Sequence, residues 1–207
     1  MKKYIFVHVP KCGGTTIRET MSPHAVNPLH LFPESKIDLM SLEEILSHDM
    51  IFSHCPITHF ASKLGNRIHD YKILTSLRNP LDRYVSEFFQ WQRAGQLKSW
   101  GEYINTPLNT NSIAYFFFGD RIDRDLKECV ANMPIKFNHV FDVGNLSSEL
   151  PEFMQSEGYR NYTMKVGNRV GFDWMLSRED YLRIMETNKL DVGIWNLFRS
   201  GMFPIAE

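Results

Sequence analysis

Four short stretches are apolar at nearly every position: Tyr4–Val9, Met50–Ser53, Lys72–Leu77 and His139–Val143. Unbroken apolar runs of this length, rich in β-branched and aromatic residues, predict strands buried on both faces. Helix signals lie between them. Ser41-Leu-Glu-Glu44 has the spacing of a capping box, and Ser99-x-x-Glu102 and Ser177-x-x-Asp180 mark further helix starts. Pro80 occupies a first-turn position, and helical patterning runs on to about Ala94. A further helix is expected from Ser148, ended by Gly158, and Thr15–Thr20 also reads as helix. Strands alternating with helices predict an α/β layered fold around a mostly parallel sheet. Asn105–Asn111, with Pro107, is the most loop-like internal piece, and there are no repeats or low-complexity tracts.

In such sheets ligands bind beyond the carboxyl ends of the strands, beside helix N-termini. The first strand runs into Pro10-Lys11-Cys12-Gly13-Gly14-Thr15-Thr16. Paired glycines allow close backbone approach, successive N–H groups attract an anion, and Lys11 adds a point charge. The third strand runs into Arg78-Asn79-Pro80, with Ser86 two helical turns further on. Arg78 offers a planar fork for a phosphate; the plainer alternative pairs it with Asp82 and leaves Ser86 facing solvent. The second strand ends at Ser53-His54-Cys55, which places His54 on the same edge as a candidate general base. His59 and His8 are rivals for that role, His8 with the stronger packing explanation.

Bulk properties narrow the classes. A chain of 207 residues predicts one domain spanning residues 1–207. A net charge of −1 provides no global field for nucleic acid. Cys12, Cys55 and Cys129 lack metal-site spacing and read as reduced thiols. Runs such as Tyr4–Val9 and Ala114–Phe118 are too short to span a bilayer, so a cytoplasmic protein without membrane association is expected.

"VPKCGGTTI" resembles the 5′-phosphosulfate loop of the sulfotransferases that use 3′-phosphoadenosine 5′-phosphosulfate (PAPS). "LRNPLDRYVSEFF" resembles the 3′-phosphate motif of the same superfamily, closest to its glycan 2-O-sulfotransferase-like branch and bacterial relatives. "FSHCPITHF" is similar to the strand-end segment that carries the proposed base, with Ser53 where the family has glycine. "NTNSIAYFFFG", "VGNLSSELPEF", "KVGNRV" and "NKLDVGIWNLF" extend the similarity along the chain. The resemblance implies a P-loop NTPase-like three-layer α/β/α sandwich. It implies that Lys11, Cys12, Gly13, Gly14, Thr15 and Thr16 hold the phosphosulfate and that Arg78 and Ser86 hold the 3′-phosphate. Lys165, Asn168 and Arg169 would cover the nucleotide, and no metal would be needed. The implied reaction moves a sulfuryl group from PAPS to a hydroxyl of a saccharide or small metabolite, with His54 as base and Lys11 on the leaving group. Trp91, Trp100, Tyr103 and Trp174 are either core residues or platforms for a sugar, and Arg93 and Lys98 either steer an anionic acceptor or are solvated charges.

Three alternatives accompany this reading. A P-loop NTPase requires its lysine after the glycines, whereas Lys11 precedes them. Cys12-x5-Arg18 has the count of a cysteine phosphatase loop. A catalytically silent nucleotide-binding protein of the same fold would bind without transfer.

Overall fold

The computed structural model describes residues 2–31, 36–96, 99–106, 110–119, 125–164 and 176–206. A five-stranded, all-parallel sheet forms its centre, with strands β1 (Tyr4–Val7), β2 (Pro28–Leu31), β3 (Met50–Ser53), β4 (Lys72–Leu77) and β5 (His139–Asp142) in the order β2-β3-β1-β4-β5. The four expected strands are present. The first ends at Val7 and the last at Asp142, so His8 and Val9 belong to the following loop. The fifth strand, Pro28–Leu31, was not expected from the sequence. It lies at the sheet edge with Pro28 and His30 exposed, so it lacks the continuous apolar signature of a central strand.

Side chains alternate across the sheet and are buried on both sides, which explains the unbroken apolar runs. Tyr4, Phe6, Phe52, Leu74 and Phe141 face one layer, where Ile17 and Met21 of α1 (Gly14–Met21) pack with Leu150 and Met154 of α9 (Leu146–Ser156). Ile5, Val7, Ile51, Ile73 and Val140 face the other. That layer contains α4 (Ile57–Leu64), α7 (Ser112–Phe118) and α11 (Lys189–Arg199). The result is the expected α/β/α sandwich.

The remaining helices are α2 (Lys36–Leu39), α3 (Leu42–Ser47), α5 (Pro80–Arg93), α6 (Trp100–Ile104), α8 (Leu126–Ala131) and α10 (Arg178–Thr187). Ser41, Ser99 and Ser177 each accept the backbone N–H three residues ahead, as their capping patterns predict. Pro80 opens α5 under an Asn79 cap.

The topology fixes where a ligand belongs. The chain leaves β1 toward β2 and β3, but leaves β4 toward β5 on the other side. Outgoing connections therefore diverge between β1 and β4, which opens a crevice at their carboxyl ends. The loop of Lys11 follows β1, and Arg78 follows β4. No helix among the described residues is long and apolar enough to cross a membrane.

Candidate active site

The turn after β1 is tightly held. The Cys12 backbone N–H donates to the Val9 carbonyl at 3.2 Å. From the neighbouring strand, the Thr75 hydroxyl donates to the Val7 carbonyl at 2.9 Å and the Ser76 hydroxyl to the Cys12 carbonyl at 2.5 Å. Lys11 adopts a left-handed φ of 67° and Gly13 one of 73°. For lysine that conformation is unfavourable, and such strain is retained where the surrounding structure imposes it. Gly13 then caps α1, whose first N–H groups have no acceptor within the helix and whose dipole favours negative charge. Thr15 is exposed and Thr16 buried in its first turn.

Positive charge is crowded here. Partial burial and the nearby guanidinium groups of Arg78 and Arg93 hold the Lys11 amine below its ordinary value. An anion placed among the three would relieve that repulsion. Arg93 stands at the end of α5; from the sequence it is expected either to steer an acceptor or to be a solvated charge.

Cys12 is fully buried, and burial raises its thiol to about 12 despite the nearby Arg83 and Arg78 charges and a hydrogen bond from the Arg78 backbone. A phosphatase needs an accessible, acidified thiolate. The protein provides the reverse, and Arg18 lies on α1 rather than in the loop.

The end of β3 supplies the histidine. His54 Nδ1 lies 2.8 Å from the His8 carbonyl, which can only accept, so Nδ1 carries the proton. In the neutral ring Nε2 is then left with its lone pair. Burial depresses His54 below its ordinary value; the carbonyl hydrogen bond partly opposes this, and Arg18 adds to it. The ring is therefore neutral near pH 7, as a base must be. His8 is buried beside it, and burial with the neighbouring His54, Arg18 and Lys11 depresses it to about 3. His59 instead sits on α4, 3.9 Å from Asp38.

On α5, Ser86 is buried rather than solvent-facing. On this helix Arg83 pairs with Glu87, and Arg78, which precedes the helix, is not paired with Asp82. Tyr103 of α6 is buried with Tyr84 and Phe88 and is core, while Trp91 of α5 and Trp100 of α6 are partly buried and pack against that cluster. Lys165, Asn168, Arg169, Trp174 and Lys98 lie outside the described residues. No group of three metal-ligating side chains occurs among the described residues. Arg18 also neighbours both histidines, a proximity that the sequence signals only through its position one helical turn beyond Gly14.

None of the curated protein sequences matches the chain. A sulfotransferase from Alicyclobacillus acidocaldarius matches in structure, with a TM-score of 0.52 and 13% identity, covering 93% of this chain and 94% of that one. At that identity the likeness establishes the fold. The model of the sulfotransferase family matches residues 2–143, a span that takes in the β1 loop, His54, Arg78 and α5, and the chain belongs to that family.

Proposed function

We propose that the protein transfers a sulfuryl group from PAPS to an acceptor hydroxyl, with a saccharide or small metabolite as the acceptor class. The observation that carries this reading is the placement of Lys11 and Arg78 just beyond the neighbouring parallel strands β1 and β4, with His54 at the end of the adjacent strand β3. A donor with a phosphosulfate and a separate 3′-phosphate matches two cationic positions on one edge.

The residues present fit such a donor. Gly13 takes the left-handed turn and Gly14 makes room for the His8 ring, while the α1 N-terminus and Lys11 supply positive charge for the phosphosulfate. Cys12 contributes backbone, while Thr15 and Thr16 offer hydroxyls. Arg78 and Ser86 would hold the 3′-phosphate, and Lys165, Asn168 and Arg169 are assigned to the nucleotide from the sequence resemblance alone. PAPS supplies the activated sulfuryl group: the acceptor oxygen bonds to sulfur as the bond from sulfur to the bridging oxygen breaks. His54 takes the acceptor proton on Nε2. Lys11 and the loop N–H groups stabilise the negative charge on the departing phosphate.

Calorimetry with PAP and ATP side by side tests the donor class. Tight PAP and weak ATP binding are expected, and equal affinity overturns the reading. Labelled PAPS with a panel of saccharides and small hydroxyl metabolites then tests transfer; PAP binding without transfer to any of them supports a silent binding protein instead.

A further inference from the structure

The imidazole of His8 sits between the two halves of this site. On one side it presses on Gly14. A Cβ placed at Gly14 would lie 2.0 Å from the His8 Cδ2 and 2.1 Å from its Nε2, so the ring occupies the space of a side chain. Gly14, unlike Gly13, does not have a positive φ. Its lack of a side chain therefore serves the ring, not the backbone conformation. On the other side the His8 ring stacks on His54, with centroids 4.3 Å apart and planes 24° from parallel.

The backbone of His8 is held as firmly. Its N–H donates to the Ser53 carbonyl at 2.7 Å, and its own carbonyl receives the His54 Nδ1 proton. Phe6 packs against the ring from within β1, with centroids 5.8 Å apart.

We propose that His8 is a positioning residue, a flat spacer that couples the anion-holding loop at Gly14 to the orientation and tautomer of the base His54. This rests on the reading of His54 as the base. One face of the spacer sets the start of α1, and with it the loop's N–H groups. The other face denies His54 a ring flip and keeps water from that side. Among the described residues, the groups that face His54 include the His8 ring and carbonyl from the loop after β1, Arg18 from α1 and the uncharged ring of Phe116 from α7.

The test combines NMR of protein carrying ¹⁵N-labelled histidine with PAP calorimetry, on wild type, His8→Phe and His8→Ala. Wild type is expected to show a single His54 tautomer, protonated at Nδ1, with a titration midpoint below about 6.5. His8→Phe keeps a flat ring, so it retains that tautomer and binds PAP within about threefold of wild type. His8→Ala opens space on both sides. Its His54 exchanges tautomers, its midpoint moves up toward about 6.5, and PAP binds about tenfold more weakly. If His8→Ala does not fold, His8→Gln, which also lacks a flat ring, is read in the same way. The spacer is overturned if the ring-free variant matches wild type in both measurements, or if His8→Phe behaves like His8→Ala. Wild-type protein that fails to bind PAP overturns the donor reading, and the coupling to the loop with it. Intact PAP binding and unchanged transfer in His54→Ala overturn the assignment of the base alone.

Discussion

Arg83 and Glu87 form an ion pair one turn apart on α5, with 3.2 Å between guanidinium Nη1 and carboxylate Oε2 and no solvent exposure of the arginine side chain. The Tyr103 hydroxyl donates to the same carboxylate at 2.8 Å, tying α6 to α5. The Asp191 carboxylate, which accepts the N–H groups of Ile113 and Ala114, adds negative charge near Arg83. Removing one member leaves the others buried and uncompensated. Arg83→Ala is expected to cost about 3–5 kcal/mol in urea unfolding. Arg83→Met combined with Glu87→Leu should cost much less than Arg83→Ala, because no charge is left behind.

Lys11→Ala should slow transfer more than it weakens PAP binding. An electrostatic stabiliser of a leaving group contributes about 2–4 kcal/mol to the barrier. Turnover of labelled PAPS with a responsive acceptor, set beside PAP calorimetry, separates the two effects. Unchanged turnover would remove Lys11 from the chemistry.

Cys12→Ser should keep sulfuryl transfer, and vanadate should not inhibit the wild-type protein. The thiol is fully buried and raised to about 12, so it is neither accessible nor ionised at neutral pH. Iodoacetamide at pH 8 should leave Cys12 unmodified in the folded state, which peptide mass analysis reads directly.

Acid should destabilise the protein through His8. Its folded-state value is about 3, against about 6.5 when unfolded. As pH falls below about 6.5 the unfolded chain gains a proton that the folded chain refuses, so stability present above that pH is lost down to about 3. The slope reaches about 1.4 kcal/mol per pH unit for this one group. His54 and His139, both depressed by burial, act in the same direction. Urea unfolding at pH 7 and pH 5 should show wild type losing about 2 kcal/mol more than His8→Phe.

Gly14→Ala should disrupt the loop, since its Cβ falls within the His8 ring. Overpacking of this kind costs about 1–3 kcal/mol. Combining it with His8→Ala relieves the clash, so the double variant should be more stable than the sum of the single effects predicts, as a double-mutant cycle measures.

The strands were legible because a central parallel strand must be apolar on both faces, as Tyr4–Val7 and Met50–Ser53 are. The caps were legible because Ser41, Ser99 and Ser177 act on residues three positions away. The anion loop was legible for a similar reason: its lysine, glycines and threonines are contiguous. The edge strand Pro28–Leu31 was not, because exposure on an edge removes the pattern that marks a strand.

What the sequence determined by itself was local: the strand runs, the helix starts, and the placement of Lys11, His54 and Arg78 just past strand ends. Only the tertiary structure decided which residues meet across those ends. Strand order put β1 between β3 and β4, so His8 stacks on His54, 46 positions away, and Ser76 clamps Cys12 across 64. Burial decided that Cys12 is inert and that α5 holds a buried Arg83–Glu87 pair. These outcomes depend on which surfaces the packed layers remove from water, and no short window of sequence carries that information.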